Sequence, residues 1–346
     1  MEIDKVLHYE TVTAAKLQLT EFKKAKVDAV LFDVDCTHDN REKVYGDIAT
    51  LQQWIQVPIM LVTSYDTRET IEGAFFAGIF DFMLKPVDFS YFKARIHIAI
   101  KYNYESRRRK IQEYNLQQDL MIAKNVQKNA LTPSLQLGGL QVDGFNRMSH
   151  TLGGDMYCWS QVSEQAVLTV LYDVMGHGVA SALVSMSIRS ILREIMARSS
   201  SPVRVMQELN RHVYELFEAE QLDGFLVTAI FVFVDRASGV VEYVNAAHPT
   251  GFVFGEDDTY ALAANTPILG LMPKIDVQKQ KLAIDGQARI VLYTDGLQQD
   301  NQSINSERFL PYLAKDNQTD LQQFVQDNQL VERPIKDDIS LVFMTI

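Results

Sequence analysis

Five aspartates in the second half of the chain stand where apolar runs give way to polar turns. Asp155 follows Gly153-Gly154. Asp173 ends the run Ala166 to Tyr172 and precedes Met175-Gly176-His177-Gly178. Asp295 closes Ile290 to Thr294 and precedes Gly296, and Asp337-Asp338 precede the run Ile339 to Thr345. One aspartate beside a glycine reads as a plain turn. Four acidic sites gathered at the ends of adjacent strands repel one another unless cations lie between them. Hard divalent metals are held in this way, by carboxylate oxygens and waters, with glycines letting the backbone approach.

The first half carries a second constellation. Asp33 lies at the end of the run Val27 to Phe32, Thr63 ends Ile59 to Val62, and Lys85 with Pro86 ends Asp81 to Leu84. An acid, a hydroxyl and a lysine at the carboxyl ends of successive parallel strands converge in one crevice. There the lysine can pair with the acid or with a phosphoryl group on it, and the hydroxyl can follow that group as it forms.

The elements that must position these groups follow from the patterning. Residues 1–95 alternate short apolar runs with helical stretches of about a dozen residues, as parallel βαβ units require. Residues 96–134 hold no glycine, and no proline before Pro133. Ile96, Ile100, Ile111, Tyr114 and Met121 keep one stripe along one long helix over about 90–131. Arg107-Arg108-Arg109-Lys110 break that stripe. The helix suits a linker that pairs with a copy of itself as a coiled coil or lies on a domain, and Thr132-Pro133 should stop it. From 135 to 346 short strands dominate, at 166–172, 225–234, 240–244, 288–293 and 339–345, interrupted by helices over Ala180–Arg198 and Pro202–Glu220. Such a pattern predicts an α+β domain of two sheets packed face to face and flanked by helices.

The stretches Gly153-Gly154-Asp155-Met156-Tyr157, Asp173-Val174-Met175-Gly176-His177-Gly178, Asn245-Ala246-Ala247-His248, Tyr293-Thr294-Asp295-Gly296 and Asp337-Asp338-Ile339-Ser340 resemble, in order, the motifs of the SpoIIE and RsbU type of bacterial serine phosphatase, within the metal-dependent protein phosphatase 2C superfamily. The segment Ala123 to Leu135 resembles the helix that leads into such domains and serves them as a switch. The resemblance implies two Mn²⁺ or Mg²⁺ ions bridged by Asp173, with the Val174 carbonyl on one of them. Asp295 and Asp337 would complete the second, and Asp155 would hold a water on the metals. His177 would either protonate the leaving serine oxygen or serve the start of the next helix. Cys158 stands where the family often has a second aspartate, and Ala247-His248-Pro249-Thr250 replaces the usual Gly-His-Asn-Pro. A substrate or third-metal contact through position 158 would then be weakened.

The first half resembles a flavodoxin-like response-regulator receiver domain, with Asp33 as phosphoacceptor, Thr63 and Phe82 as switch residues and Lys85-Pro86 as the lysine-proline pair. Lys5 to Glu10 and Thr13 to Ala25 read as the second strand and second helix, so the first strand and helix are expected to be absent. The acidic pair that holds Mg²⁺ in a receiver then has no good candidate, and a Mg²⁺ there requires that pair.

Composition removes other classes. The chain has 346 residues, 47% of them hydrophobic and 22% charged, with two cysteines. That is room for two domains with sizeable cores, and neither a disordered composition nor a disulfide framework. A net charge of −11 disfavours nucleic acid, and the longest apolar stretch, Phe225 to Val234, is half of what a membrane span needs. The expected compartment is the cytoplasm. The expected protein is an enzyme dephosphorylating a phosphorylated STAS-domain anti-sigma-factor antagonist, with a sensor histidine kinase upstream and a homodimer formed through the linker helix. The alternative is a non-catalytic module that sequesters a signalling partner.

Overall fold

The computed structural model describes residues 27–33, 41–64, 68–220, 224–256, 258–299 and 320–346. The expected elements at Lys5–Glu10 and Thr13–Ala25, and Cys36, lie outside them. The chain divides into two compact units, residues 1–117 and 118–346.

In the first unit, β1 (Val30–Asp33), α1 (Arg41–Trp54), β2 (Ile59–Thr63), α2 (Arg68–Phe76) and β3 (Asp81–Leu84) alternate, followed by α3 (Phe89–Ala130). The strands form a parallel sheet in the order β1-β2-β3, with Asp33 opposite Val62 and Thr63 opposite Leu84. Side chains alternate across a strand, so Ile59 and Leu61 meet Ile48, Leu51 and Ala74 on one face. Met60 meets Met83, Ile96 and Ala99 on the other. Burial on both faces is why the central strand β2 reads as an unbroken apolar run. Asp88 starts α3 by accepting the amides of Ser90 and Tyr91. The helix ends three residues before Pro133, as its sequence predicts. Ile111, Tyr114 and Met121 of its stripe are exposed.

The second unit holds two antiparallel sheets. One has the order β11-β10-β13-β14-β5-β4, from β4 (Leu135–Leu137), β5 (Leu140–Arg147), β10 (Gly251–Phe254), β11 (Thr259–Leu262), β13 (Arg289–Tyr293) and β14 (Ile339–Thr345). The other has the order β12-β9-β8-β7-β6, from β6 (Met156–Gln161), β7 (Ala166–Val174), β8 (Val227–Asp235), β9 (Val240–Ala246) and β12 (Gln280–Ala283). Val167, Leu171, Ile230 and Val232 from one sheet and Val142, Ile290, Leu292, Val342 and Met344 from the other fill the space between them. The opposite faces of β7 and β8, through Leu168, Val170, Tyr172 and Phe231, pack on α4 (Val179–Arg198) and α5 (Pro202–Glu220). On the far side of the other sheet, Val291, Leu341 and Phe343 cover Leu321, Phe324 and Val325 of α7 (Leu321–Asp327), which follows the short α6 (Gly296–Gln299). These layers match the expected packed sheets with flanking helices.

Two of the strand ends that differ from the sequence reading bear on the site. β7 runs on to Val174 and β9 to Ala246, because the ladder with β8 continues through Asp173↔Thr228 and Ala229↔Ala246. Backbone pairing does not depend on whether a side chain is polar. Asp173 therefore sits in the ladder rather than beyond it, beside Thr228.

Candidate metal centre

The acidic residues meet at one end of the sandwich because strand direction brings them there. β7 ends at Asp173-Val174 and its antiparallel neighbour β6 begins just after Asp155, with Met156 opposite Tyr172. β13 ends before Thr294-Asp295 and its neighbour β14 begins just after Asp337-Asp338, with Tyr293 opposite Leu341. A hydrogen bond joins the two sheets at this end: the Thr294 hydroxyl donates to Asp155 Oδ2 at 2.6 Å and receives the Ser340 amide at 2.8 Å. Asn146, at the end of β5, donates to Ser340 Oγ at 2.8 Å and to the Asp155 carbonyl at 3.3 Å.

Asp338, which the family resemblance leaves without a role, is buried and organises the loop before β6. Its Oδ1 accepts the Ser149 amide at 2.7 Å and the Ser149 hydroxyl at 2.9 Å, and Oδ2 accepts the Gly154 amide at 2.8 Å. The two glycines make that approach possible. A methyl group on Gly153 would overlap the Asp338 carboxylate, and one on Gly154 would overlap the Val174 carbonyl. Gly154→Ala is therefore expected to push the Val174 carbonyl from its place and weaken Mn²⁺ binding at least about tenfold, by Mn²⁺-dependent thermal shift, since outer supports of metal ligands carry effects of about 10–100-fold.

Asp155 is buried and hydrogen-bonded to Asp173. Burial, followed by the charges of Asp173 and Asp338, holds its carboxyl well above the usual carboxylate range. Asp173 is pushed up to about 7, first by burial and then by Asp295, with Asp337 and Asp338 adding to it. Asp173 and Asp295 both line a cavity of about 650 Å³, whose other walls include Thr228, His248, Tyr293, Phe252 and Gln298. Asp337 is half-buried, and its Oδ1 receives the Asp338 amide at 2.9 Å. Among the described residues no three acidic, histidine or cysteine side chains stand close enough together to chelate a cation unaided. The donor set still fits a divalent cation. It consists of carboxylate oxygens and a backbone carbonyl, its central carboxylate resists ionisation because it is buried among other acids, and glycine clears the approach to that carbonyl. Mg²⁺ in particular keeps several waters and uses one or two carboxylates.

His177 is carried into solvent on the turn before α4, where Gly176 and Gly178 both take positive φ. Its ring stacks on His150, with centroids 4.5 Å apart and planes 4° apart. His150 Nδ1 lies 3.1 Å from Ser149 Oγ, so the stack leads back to Asp338. His248 is buried beside the cavity, with Nδ1 2.8 Å from Thr228 Oγ1, and burial lowers its ring to about 3, so it stays neutral. Its amide is held by Asn245 Oδ1 at 2.8 Å, which fixes the turn through Ala247 at φ 53°.

Cys158 corrects an expectation. It is buried on β6 in the core beneath α4, with Sγ 3.9 Å from Met196 Sδ, and burial pushes its thiol up to about 11. The alternation along β6 turns position 158 toward the helices, so the side chain there is a core contact rather than a weakened substrate or metal contact.

In the first unit the residues predicted to converge do so in part. Lys85 Nζ lies 2.8 Å from both Asp33 oxygens, and the Lys85 amide donates to the carbonyl of buried Thr63 at 2.9 Å. Phe82 packs edge-on against Phe75, with centroids 6.0 Å apart, in the cluster on the α1–α2 side of the sheet.

The family model for stage II sporulation protein E matches residues 163–346, more than half of the chain. The chain belongs to the SpoIIE family. Among curated relatives, phosphoserine phosphatase RsbP of Bacillus subtilis is 34% identical over 184 residues, 53% of this chain and 46% of that one. Phosphoserine phosphatase RsbU of the same organism is 24% identical over 188 residues, 54% of this chain and 55% of that one. The chain thus spans about half the length of these two curated relatives. Among solved structures, the SiaA-PP2C domain of Pseudomonas aeruginosa superposes with a TM-score of 0.59 at 20% identity, covering 68% of this chain and 98% of that one. The PP2C domain of SpoIIE from Bacillus subtilis does so with 0.52 at 13%, covering 61% and 64%. These two likenesses establish the phosphatase 2C fold of the second unit. Among the described residues no helix is long and apolar enough to cross a membrane.

Proposed function

We propose that this SpoIIE-family chain is a metal-dependent protein serine/threonine phosphatase working in a partner-switching pathway. The observation that carries the reading is the placement of Asp173 and Asp295 on the wall of one open cavity, with Asp155 buried behind them and bonded to Asp173. The names of RsbP and RsbU as phosphoserine phosphatases support it.

In this reading Asp173, Asp295, Asp337 and the Val174 carbonyl hold two Mn²⁺ or Mg²⁺ ions, with Asp155 behind them. The ions would supply activation of a water and neutralisation of charge on the transferring phosphoryl group. The chain's own residues do the rest. Thr294 and Asp338 fix the carboxylate Asp155 and its loop, and Thr228, His248, Tyr293 and Gln298 shape the recess for the residues around a phosphoserine. His177, exposed on the turn before α4 and stacked on His150, would give a proton to a departing serine oxygen. The test is phosphate release from a phosphoserine protein with and without Mn²⁺. Release that needs the metal supports the phosphatase, and no release from folded protein at any metal concentration points to a sequestering module.

The substrate we favour is a phosphorylated STAS-domain antagonist, with the first unit acting as a receiver-like regulator under a sensor histidine kinase. The Asp33–Lys85 pair at the strand ends supports that regulator. Acetyl phosphate that alters release by the wild-type chain and leaves Asp33→Asn unaltered would bear this out, and equal responses would end it. The pair itself does little for stability, because 64% of the Asp33 side chain is exposed. Lys85→Met is expected to change unfolding free energy by less than about 1 kcal/mol in urea. A homodimer through α3 is part of the same proposal, and sedimentation as a monomer at high concentration would remove it.

A further inference from the structure

The cavity that Asp173 and Asp295 line, about 650 Å³, is larger than a phosphoryl group and its serine methylene can fill. Its other walls carry Ala247, Pro249, Phe252 and Ala261, which give it an apolar stretch in the same recess as the carboxylates. Phe252 and Ala261 stand opposite each other on β10 and β11, so their side chains share one face of the sheet. Phe252 is half-buried and packs against the core on that side, and Ala261 is exposed on the edge strand.

Ala247 is the wall that backbone conformation singles out. Its φ is 53°, a state that glycine adopts freely and an L side chain only with strain. Ala247 is exposed, so the core does not gain from the methyl group. The turn that carries it is firmly held. Asn245 Oδ1 accepts the His248 amide at 2.8 Å, and its Nδ2 donates to the Leu262 carbonyl at 2.9 Å and to the Pro249 carbonyl at 3.4 Å. Those bonds tie the turn to the end of β11, one residue from Ala261. Strain kept in a fixed turn on the wall of a site points to a side chain retained for what it meets there.

We propose that Ala247, Pro249, Phe252 and Ala261 form a subsite for an apolar side chain next to the phosphoserine of the substrate, and that the Ala247 methyl sets its selectivity. The proposal rests on reading the chain as a phosphoserine phosphatase and names the substrates it prefers. The four side chains offer neither charge nor hydrogen bond, so a lysine, glutamate or serine set against them gives up water and finds no partner. An aliphatic side chain gains by leaving water. Because subsite and carboxylates share one cavity, a substrate that fills the first is held with its phosphoryl group at the second.

The experiment measures kcat and KM for phosphate release by the full chain, at saturating Mn²⁺, from synthetic phosphoserine peptides that differ only in the residue on both sides of the phosphoserine: leucine, serine, lysine or glutamate. The leucine peptide is expected to exceed the others in kcat/KM by at least about tenfold, the discrimination an apolar pocket gives, chiefly through KM. Two variants locate the effect. Ala247→Gly removes the methyl and the strain together, so its urea midpoint should equal or exceed that of wild type while the leucine-to-serine ratio falls at least about threefold. Ala261→Leu, at an exposed position of the edge strand, fills the subsite and should bring the leucine peptide down to the serine peptide. A folding defect would lower both peptides alike, so an unchanged ratio in either variant overturns the inference. Equal use of all the peptides by the wild-type chain, or a preference for lysine or glutamate, overturns it too. A lower urea midpoint for Ala247→Gly would show that the methyl serves the fold and remove its part in selectivity. Metal-dependent release from none of the peptides overturns the phosphatase reading and the inference with it.

Discussion

Asp173→Asn is expected to abolish Mn²⁺-dependent phosphate release, by about 10³-fold or more, while making the metal-free protein more stable. The first effect follows from charge. An amide has the shape of the carboxylate but no negative charge to share between two cations, and a loss of 10³ corresponds to about 4 kcal/mol of transition-state stabilisation. The second follows from the surroundings. Asp173 is pushed up to about 7, chiefly by burial and then by Asp295, so at about pH 8 its charge is a burden on a fold that holds no metal. Asparagine removes that charge, and its amide can donate to Asp155, with which Asp173 is already hydrogen-bonded. A shift of about three units is worth about 4 kcal/mol. The coupling to Asp155 shares that cost between two groups, so a gain of about 1–3 kcal/mol is expected in urea unfolding with chelator present. A destabilised mutant would mean that Asp173 belongs to the fold, and residual metal-dependent release within tenfold of wild type would mean that another residue bridges the metals. The pairing of opposite signs, activity lost and stability gained, is what separates a metal carboxylate from a structural one.

How far this site could be read from the sequence depended on the kind of residue. Carboxylates next to glycines at the ends of apolar runs were legible, because periodicity marks strand ends and acids at strand ends have few structural reasons to gather. Ser149 and Asn146 were not. Each acts through one hydrogen bond or a pair of them to an atom remote in sequence, and a lone polar residue beside a turn carries no pattern. Asp338 was in view as half of an acidic pair. Only the ladder Ile339↔Arg147 and Ser340↔Asn146 shows that it turns into the loop before β6 while Asp337 remains half-exposed. The two sheets were visible as strands, but their order was not, since β5 joins β14 across nearly two hundred residues. Position 158 shows the opposite failure. Its place in a motif suggested a contact, and the alternation along β6 put it in the core.

The same raised carboxylates make cation binding steeply dependent on pH. In the metal-free protein the folded state holds protons on Asp155 and Asp173 that the unfolded chain has released, because both stand above the usual carboxylate range. The stability that Asp173 contributes in this way is present in full below the unfolded value of about 3.8 and is lost as pH rises through about 7. With chelator present, the melting temperature should therefore fall from about pH 5 to about pH 8 relative to Asp173→Asn. A cation reverses the slope, because it must displace those protons. Below about pH 7 the apparent Mn²⁺ affinity should rise about tenfold per pH unit for each proton displaced, and above about pH 8 it should level off. Isothermal titration at about pH 6 and about pH 8, repeated in buffers of different ionisation enthalpy, gives both the affinity and the number of protons released. An affinity more than tenfold higher at the upper pH, with about one proton released at the lower, is the expected result. Equal affinities with no proton released would show that these carboxylates are not the groups the cation meets. In Asp173→Asn the proton count should drop even where some Mn²⁺ still binds, which ties the pH dependence to this residue and not to the exposed histidines His150 and His177.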